Sequence, residues 1–453
     1  MLDDDPSAEA TDVLQHLIRN ACVNDGRVDS GHEERSVDVL AQLLGNVGLD
    51  VETYEPEPGR ASLVARIEGT DPSAPTLLLM GHTDVVPVNA DRWSHDPFGG
   101  ELIANGDGTV EVWGRGAVDM LNLTASMAVA TRRLAASGFR PKGTLIYLAV
   151  ADEEALGTHG ADHLVRHEAD AVKADYVITE SGGVPIPSPR GTKLPVIVGE
   201  KGTWWCTLRV TGTPGHASQP FRTDNALVKA AEVIKRLAEF RPPTQLHDVW
   251  RRFIESMGYP DELSAPLLRE EGFVEVCEGL PLGMARQFHA CTHTTIAPTV
   301  VHGGTKTNVI PDTVDLELDI RTLPGQSGDD VHRMLDEALG DMAGDVSIIA
   351  SVEDPSTASP TETPLWDALA RASAAFYPQA VTVPFLTVGA TDARFFRRAG
   401  STAYGYGLFS EHLSFEDYGT MFHGDDERVD VESLRLSTLL WEAVASDLLV
   451  NQP

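Results

Sequence analysis

Cysteine is scarce in this chain: four in 453 residues (Cys22, Cys206, Cys277 and Cys291), scattered and without a CxxC pair. That excludes a disulfide framework and a thiolate zinc site, and makes free thiols in a reducing cytoplasm the expected state. Long apolar runs are missing as well, so no segment reads as a bilayer span. The opening Met1-Leu2-Asp3-Asp4-Asp5 is acidic where a secretory leader needs basic residues, and no apolar stretch follows it. Positive charge is in short supply, with 35 Lys and Arg against 68 Asp and Glu and a formal net charge of -33. A field of that sign repels nucleic acid and anionic membranes and excludes both as partners. Internal repeats, low-complexity tracts and heptads are also lacking, which leaves little room for a structural array.

What is present is a chain too long for one hydrophobic core, so two domains are expected. After a helical start over about 8–48, apolar strand-like runs alternate with helices. Leu63–Ile67, Thr76–Met80, Thr144–Val150 and Tyr176–Thr179 read as strands, and Leu123–Ala136 and Gly160–His167 as helices. Thr76–Met80 is apolar throughout and reads as a central strand. This alternation predicts an α/β fold with a mixed or parallel sheet covered on both faces. From about Gly199 the pattern changes to that of an inserted α+β unit, with 240–293 left unassigned, and the chain returns near Thr322. The expected division is 1–198, 199–321 and 322–453. It makes the catalytic domain discontinuous.

Polar groups that follow such strands gather on one rim of the sheet. His82 closes Leu77-Leu78-Leu79-Met80-Gly81-His82, the acidic run Asp152-Glu153-Glu154 follows Val150, and Glu180 follows Thr179. With Asp119 and His423 they make two imidazoles and three carboxylates beside the extra Glu153. That set suits two zinc-like ions sharing a carboxylate, a centre that generates hydroxide at neutral pH for amide hydrolysis. One of the adjacent glutamates can bind metal while its neighbour, near but not on the ion, accepts a proton. Asp84, two residues beyond His82 in extended chain, falls on the same side and fits an orienting carboxylate. The bland alternatives are a turn histidine and a solvated acidic pair.

The segments Gly81-His82-Thr83-Asp84-Val85-Val86-Pro87, Trp93-Ser94-His95-Asp96-Pro97-Phe98, Gly114-Arg115-Gly116-Ala117-Val118-Asp119-Met120 and Asp152-Glu153-Glu154 resemble the aminoacylase, carboxypeptidase and succinyl-diaminopimelate desuccinylase family of co-catalytic di-zinc metallopeptidases. Collinear matches continue through Thr213-Pro214-Gly215-His216, Thr307-Asn308-Val309, Asp319-Ile320-Arg321, Gly389-Ala390-Thr391-Asp392-Ala393-Arg394 and His423-Gly424. The resemblance implies a mixed-sheet catalytic domain with a ferredoxin-like lid and dimerisation domain inserted in it. It implies two zinc ions per chain, with cobalt or manganese also compatible. Asp119 would bridge them and be followed by a cis peptide, one ion taking His82 and Glu180 and the other Glu154 and His423. Glu153 would be the general base, Asp84 the residue orienting His82, and His216 an oxyanion stabiliser acting in its own subunit or across a homodimer. Asn308, Arg321 and Arg394 would meet the substrate's carbonyl and carboxylate.

The implied substrate is an N-acyl-L-amino acid or dipeptide with a free carboxylate. The rivals are a deacylase of acetylornithine or succinyl-diaminopimelate type, and a metal-free binding protein on a retired hydrolase scaffold. One departure stands out: Asp119-Met120-Leu121-Asn122 replaces the family's Asp-Met-Lys-Gly. Two decoys are set aside. His159, His163 and His167 share helical spacing but are interleaved with Asp162, Arg166 and Glu168, as on a solvated face, and His95 reads as a loop residue.

Overall fold

The computed structural model describes residues 5–450. Its main sheet has nine strands, in the order Val51–Tyr54, Ser62–Ile67, Leu145–Val150, Leu77–His82, Tyr176–Thr179, Thr402–Gly405, Lys193–Glu200 and Thr357–Ala358, with Val381–Thr387 also pairing on Lys193–Glu200. Leu77–His82 runs parallel to both of its neighbours. Along it, Leu77 and Leu79 enter one core cluster and Leu78 and Met80 the other, because successive side chains alternate faces. Each fully buried leucine contributes roughly 1.5–3 kcal/mol relative to an exposed one. One face is covered by Ser7–Asn20, Glu34–Gly45, Leu121–Ala136 and Val431–Val450, the other by Ala161–His167 and Ala393–Arg398. The helical start is therefore two helices, and the loop between them carries buried Asn24 and Glu33. Among the described residues, no helix is long and apolar enough to cross a membrane.

A separate antiparallel sheet has the order Thr295–Gly303, Thr313–Thr322, Gly202–Thr211, Val346–Asp354. Helices Ala226–Glu239 and Gly328–Leu339 pack on one side of it, over Trp204, Cys206, Leu208 and Ile320. In chain order this is the βαββαβ arrangement of a ferredoxin-like unit.

Two sequence expectations about the insertion need correction. Val346–Asp354 pairs along Gly202–Thr211, so the second sheet extends past Thr322 to Asp354. The unassigned stretch 240–293 forms the helices Asp248–Met257, Asp261–Leu267, Phe273–Glu278 and Leu282–Thr292. Their apolar faces pack on Ile197, Val383 and Phe385 of the main sheet rather than on the second one.

Candidate metal centre

Parallel pairing brings His82, the residues after Val150 and the residue after Thr179 to one sheet edge. Gly81 lets the Leu121–Ala136 helix come close, since a Cβ there would lie 2.3 Å from Thr124 Oγ1. That hydroxyl donates to the His82 carbonyl at 2.8 Å. The His82 ring is oriented through Nδ1, which lies 2.9 Å from the Asp84 carbonyl oxygen, while Nε2 points at Asp119 Oδ1, 3.3 Å away.

Asp84 therefore holds His82 through its main chain more than through its carboxylate, which is 3.6 Å from Nδ1. The Asp84 carboxylate accepts instead from the backbone N–H of Glu153 at 3.2 Å, from that of Glu154 at 3.0 Å and from Asn24 Nδ2 at 2.9 Å. It fixes the turn Glu153–Ala155, which is flanked by Asp152 and Leu156 at φ 70° and 77°.

Asp119 presents its two oxygens to two imidazoles. Oδ1 faces His82, and Oδ2 lies 3.3 Å from His423 Nε2, which is also 3.2 Å from Glu154 Oε2. The Asp119–Met120 peptide bond is cis, as the resemblance implied. Donor atoms of His82, Asp119 and Glu154 lie within 4.8 Å of one another, as do those of His82, Glu153 and Glu180. The five expected ligands and Glu153 are thus brought together. Among the described residues, His159, His163 and His167 form no such group.

The electrostatics favour a cation. Burial, then the charges of Glu180 and other neighbours, holds the Glu153 carboxyl well above its ordinary range. Burial and Asp119 do the same to Glu180, whose buried Oε1 has no hydrogen-bond partner. Hydrogen bonds that its ring donates to Asp119 and Glu154 raise His423 to about 10. Burial opposes ionisation of Asp119, but the bonds from His423 and His82 outweigh it and lower its pKa. Crowded carboxylates and imidazoles with an orphaned buried oxygen are a donor set that divalent metal ions fit.

Residues that the sequence reading missed support these donors from behind. Glu427 is fully buried; its Oε1 accepts from the backbone N–H of Val118 at 2.6 Å and Asp119 at 2.9 Å. Its Oε2 accepts from Gly116 N–H and Arg115 Nη1. Glu33, Arg60 and Asn24 form a second buried network that reaches Asp84. Leu121 and Asn122, where the sequence departs from the family, are both buried, and Asn122 Oδ1 is unpartnered.

The remaining expected site residues are not gathered at the centre. Arg321 lines the cleft above it over the Trp205 ring, but its fork pairs with Asp319 and donates to Thr203 Oγ1. Arg394 lines the cleft as well and is buried, donating to Asp354 Oδ2, Thr391 O and Leu156 O. His216 lies on the short strand Gly215–His216 and Asn308 just before its partner strand Val309–Ile310, both exposed and outside the cleft lining.

Fold and site together define a hydrolase on a mixed α/β sheet, with metal-dependent amide hydrolysis as its reaction class. Residues 78–447 match the model of peptidase family M20/M25/M40, and the chain belongs to that family. Aminoacylase-1 of Homo sapiens is 30% identical over 418 residues, which cover 91% of this chain and 90% of that protein. A probable carboxypeptidase S-like protein of Dictyostelium discoideum is 26% identical over 385 residues, covering 83% of this chain and 72% of its own. Among solved structures, an M20 family metallo-carboxypeptidase from Sulfolobus solfataricus superposes with a TM-score of 0.71 at 18% identity, covering 97% of this chain and 99% of that one. Human carnosine dipeptidase 1 gives 0.66 at 16% identity, covering 98% and 96%.

Proposed function

We propose that this enzyme hydrolyses the amide bond of N-acyl-L-amino acids, or of dipeptides, that carry a free carboxylate. The observation that carries the reading is the placement of Glu153 among the donors of His82, Glu180 and their neighbours, at the floor of a cleft whose wall bears Arg321. In this reading His82 and Glu180 hold one ion, Glu154 and His423 the other, and Asp119 lies between them. Zinc is the default, and imidazole with carboxylate also accepts cobalt or manganese. When bound, the ions supply Lewis acidity, acidifying a water and opposing negative charge on the carbonyl oxygen.

Glu153 takes a proton from the attacking water and delivers it to the leaving nitrogen. Asp84 keeps Glu153 and Glu154 at a fixed offset by holding both of their backbone N–H groups. Arg321 carries the positive charge that meets the substrate carboxylate. His216 and Asn308, outside the cleft of their own chain, reach the oxyanion and carbonyl of a second subunit in a homodimer formed through the inserted unit. Arg394 serves by tying Leu156, at the end of the Glu153–Ala155 turn, to Asp354. Four free cysteines accord with a cytoplasmic location.

The test is a panel of N-acetyl-amino acids and dipeptides, beside acetylornithine and succinyl-diaminopimelate, offered to protein reconstituted with zinc or cobalt. Turnover of the first two groups supports the reading, and preference for the biosynthetic substrates moves it to their deacylases. Absence of all turnover with both ions bound contradicts it.

A further inference from the structure

The cleft does not end at the metal centre. Its volume is about 890 Å³, at the upper end of sites that enclose a drug-sized molecule and well beyond what an acetyl group and one amino acid require. Beyond the carboxylates its lining turns apolar. Ile186, Ile197, Phe288, Phe385, Val388 and Phe415 form this arm. It exists because the helices between 248 and 292 pack on the main sheet, and Phe288 comes from the last of them. At its mouth Leu282 and Met284 are 64% and 38% exposed, large apolar side chains that an apolar ligand would cover.

The polarity of the cleft sets the direction of the ligand. Arg321 and Trp205 belong to the second sheet, whereas the arm is built on the main sheet. A substrate whose carboxylate turns toward Arg321 and whose carbonyl sits by Glu153 extends its acyl group into the arm. We infer that the substrates are N-acyl amino acids with a long apolar acyl chain, and that this arm holds the chain. The inference rests on the amidohydrolase reading. The step needs only water: the C–N bond breaks, hydroxide adds to the acyl carbon and a proton to the nitrogen, and a fatty-acid carboxylate leaves with the free amino acid.

The test compares acetyl-, hexanoyl- and decanoyl-glycine with N-acetyl-leucine and N-acetyl-phenylalanine. Each buried methylene is worth up to about fourfold, so kcat/KM is expected to rise on the order of 100-fold from acetyl to decanoyl. In calorimetric titration of the metal-loaded Glu153→Gln protein, decanoyl-glycine should bind more tightly than acetylglycine by a similar factor. The double substitution Leu282→Asp with Met284→Asp, at exposed positions, should cut the decanoyl-to-acetyl ratio about tenfold or more. A flat or falling series overturns the inference while leaving the amidohydrolase reading intact. So does a dependence on the amino-acid side chain instead of the acyl chain. If no amide is hydrolysed, the amidohydrolase reading fails, and the titration still decides: binding indifferent to chain length overturns the arm's role.

Discussion

Half-buried Glu153 and fully buried Lys201 are both ionisable, and each has a consequence that one substitution exposes. Glu153→Gln keeps the turn and the five proposed ligands but removes the proposed proton carrier, so metal content should hold while kcat falls by roughly three orders of magnitude. Metal analysis beside turnover checks this, and a substantially active variant would mean another group is the base. Lys201 is enclosed where the two sheets join. Its ammonium has only the His293 carbonyl at 2.8 Å and Thr295 Oγ1 at 3.2 Å, and no carboxylate among the described residues lies within 4 Å. Burial depresses its pKa to about 7 from an ordinary 10.5. Between those values the unfolded chain binds a proton that the folded one does not, so this group makes stability rise with pH from about 7 to about 10. Lys201→Met should raise Tm at pH 7 and flatten that slope relative to wild type. A variant that melts lower at pH 7 would contradict this.

The proposed ligands His82, Glu154 and Glu180 were legible because an apolar strand precedes each one. Glu427 and Glu33 were not: in so acidic a sequence, a buried carboxylate is written like a solvated one, and only folded contacts with Arg115 or Arg60 tell them apart.

At the scale of elements, the short turn Glu153–Ala155 is held by acceptors rather than by its own length. Asp84→Asn leaves one oxygen to serve the backbone N–H groups of Glu153 and Glu154, and its amide opposes the Asn24 donor. A loss of 10- to 100-fold in metal affinity or kcat is expected, as for other outer partners of metal ligands. Metal retention after dialysis measures it, and wild-type retention with wild-type kcat would show the turn to be self-supporting. The helices of 248–292 escaped the sequence reading for a related reason. They are short, two of them start directly after a proline, and one of those two also holds Pro266 inside it, so no sustained periodicity marks them. Their cohesion comes instead from aromatic contacts, such as Trp250 edge-on to Phe288 at 5.0 Å.

For the whole molecule, the α/β class followed directly from strand and helix alternation, whereas the end of the insertion did not. Val346–Asp354 is an edge strand with little burial beyond alternate residues at its start, so its sequence does not announce which sheet it joins. The exposed pair His216 and Asn308 raises a question that only an assembly answers. If they complete a second subunit's site, mixing inactive His216→Ala with inactive Glu153→Ala chains under exchange should restore up to about one quarter of wild-type activity, since half the dimers are mixed and each holds one intact site. No recovery, with subunit exchange verified, would place both residues in their own subunit's chemistry.

The central claim is a centre for two metal ions that performs hydrolysis. Its most direct test is the metal content per chain of protein purified without chelator, measured by plasma mass spectrometry on the sample assayed for turnover. The account predicts close to two ions per chain and hydrolysis that chelation abolishes and zinc or cobalt restores. Near-zero metal that neither ion restores would contradict it and leave a binding protein on a hydrolase scaffold.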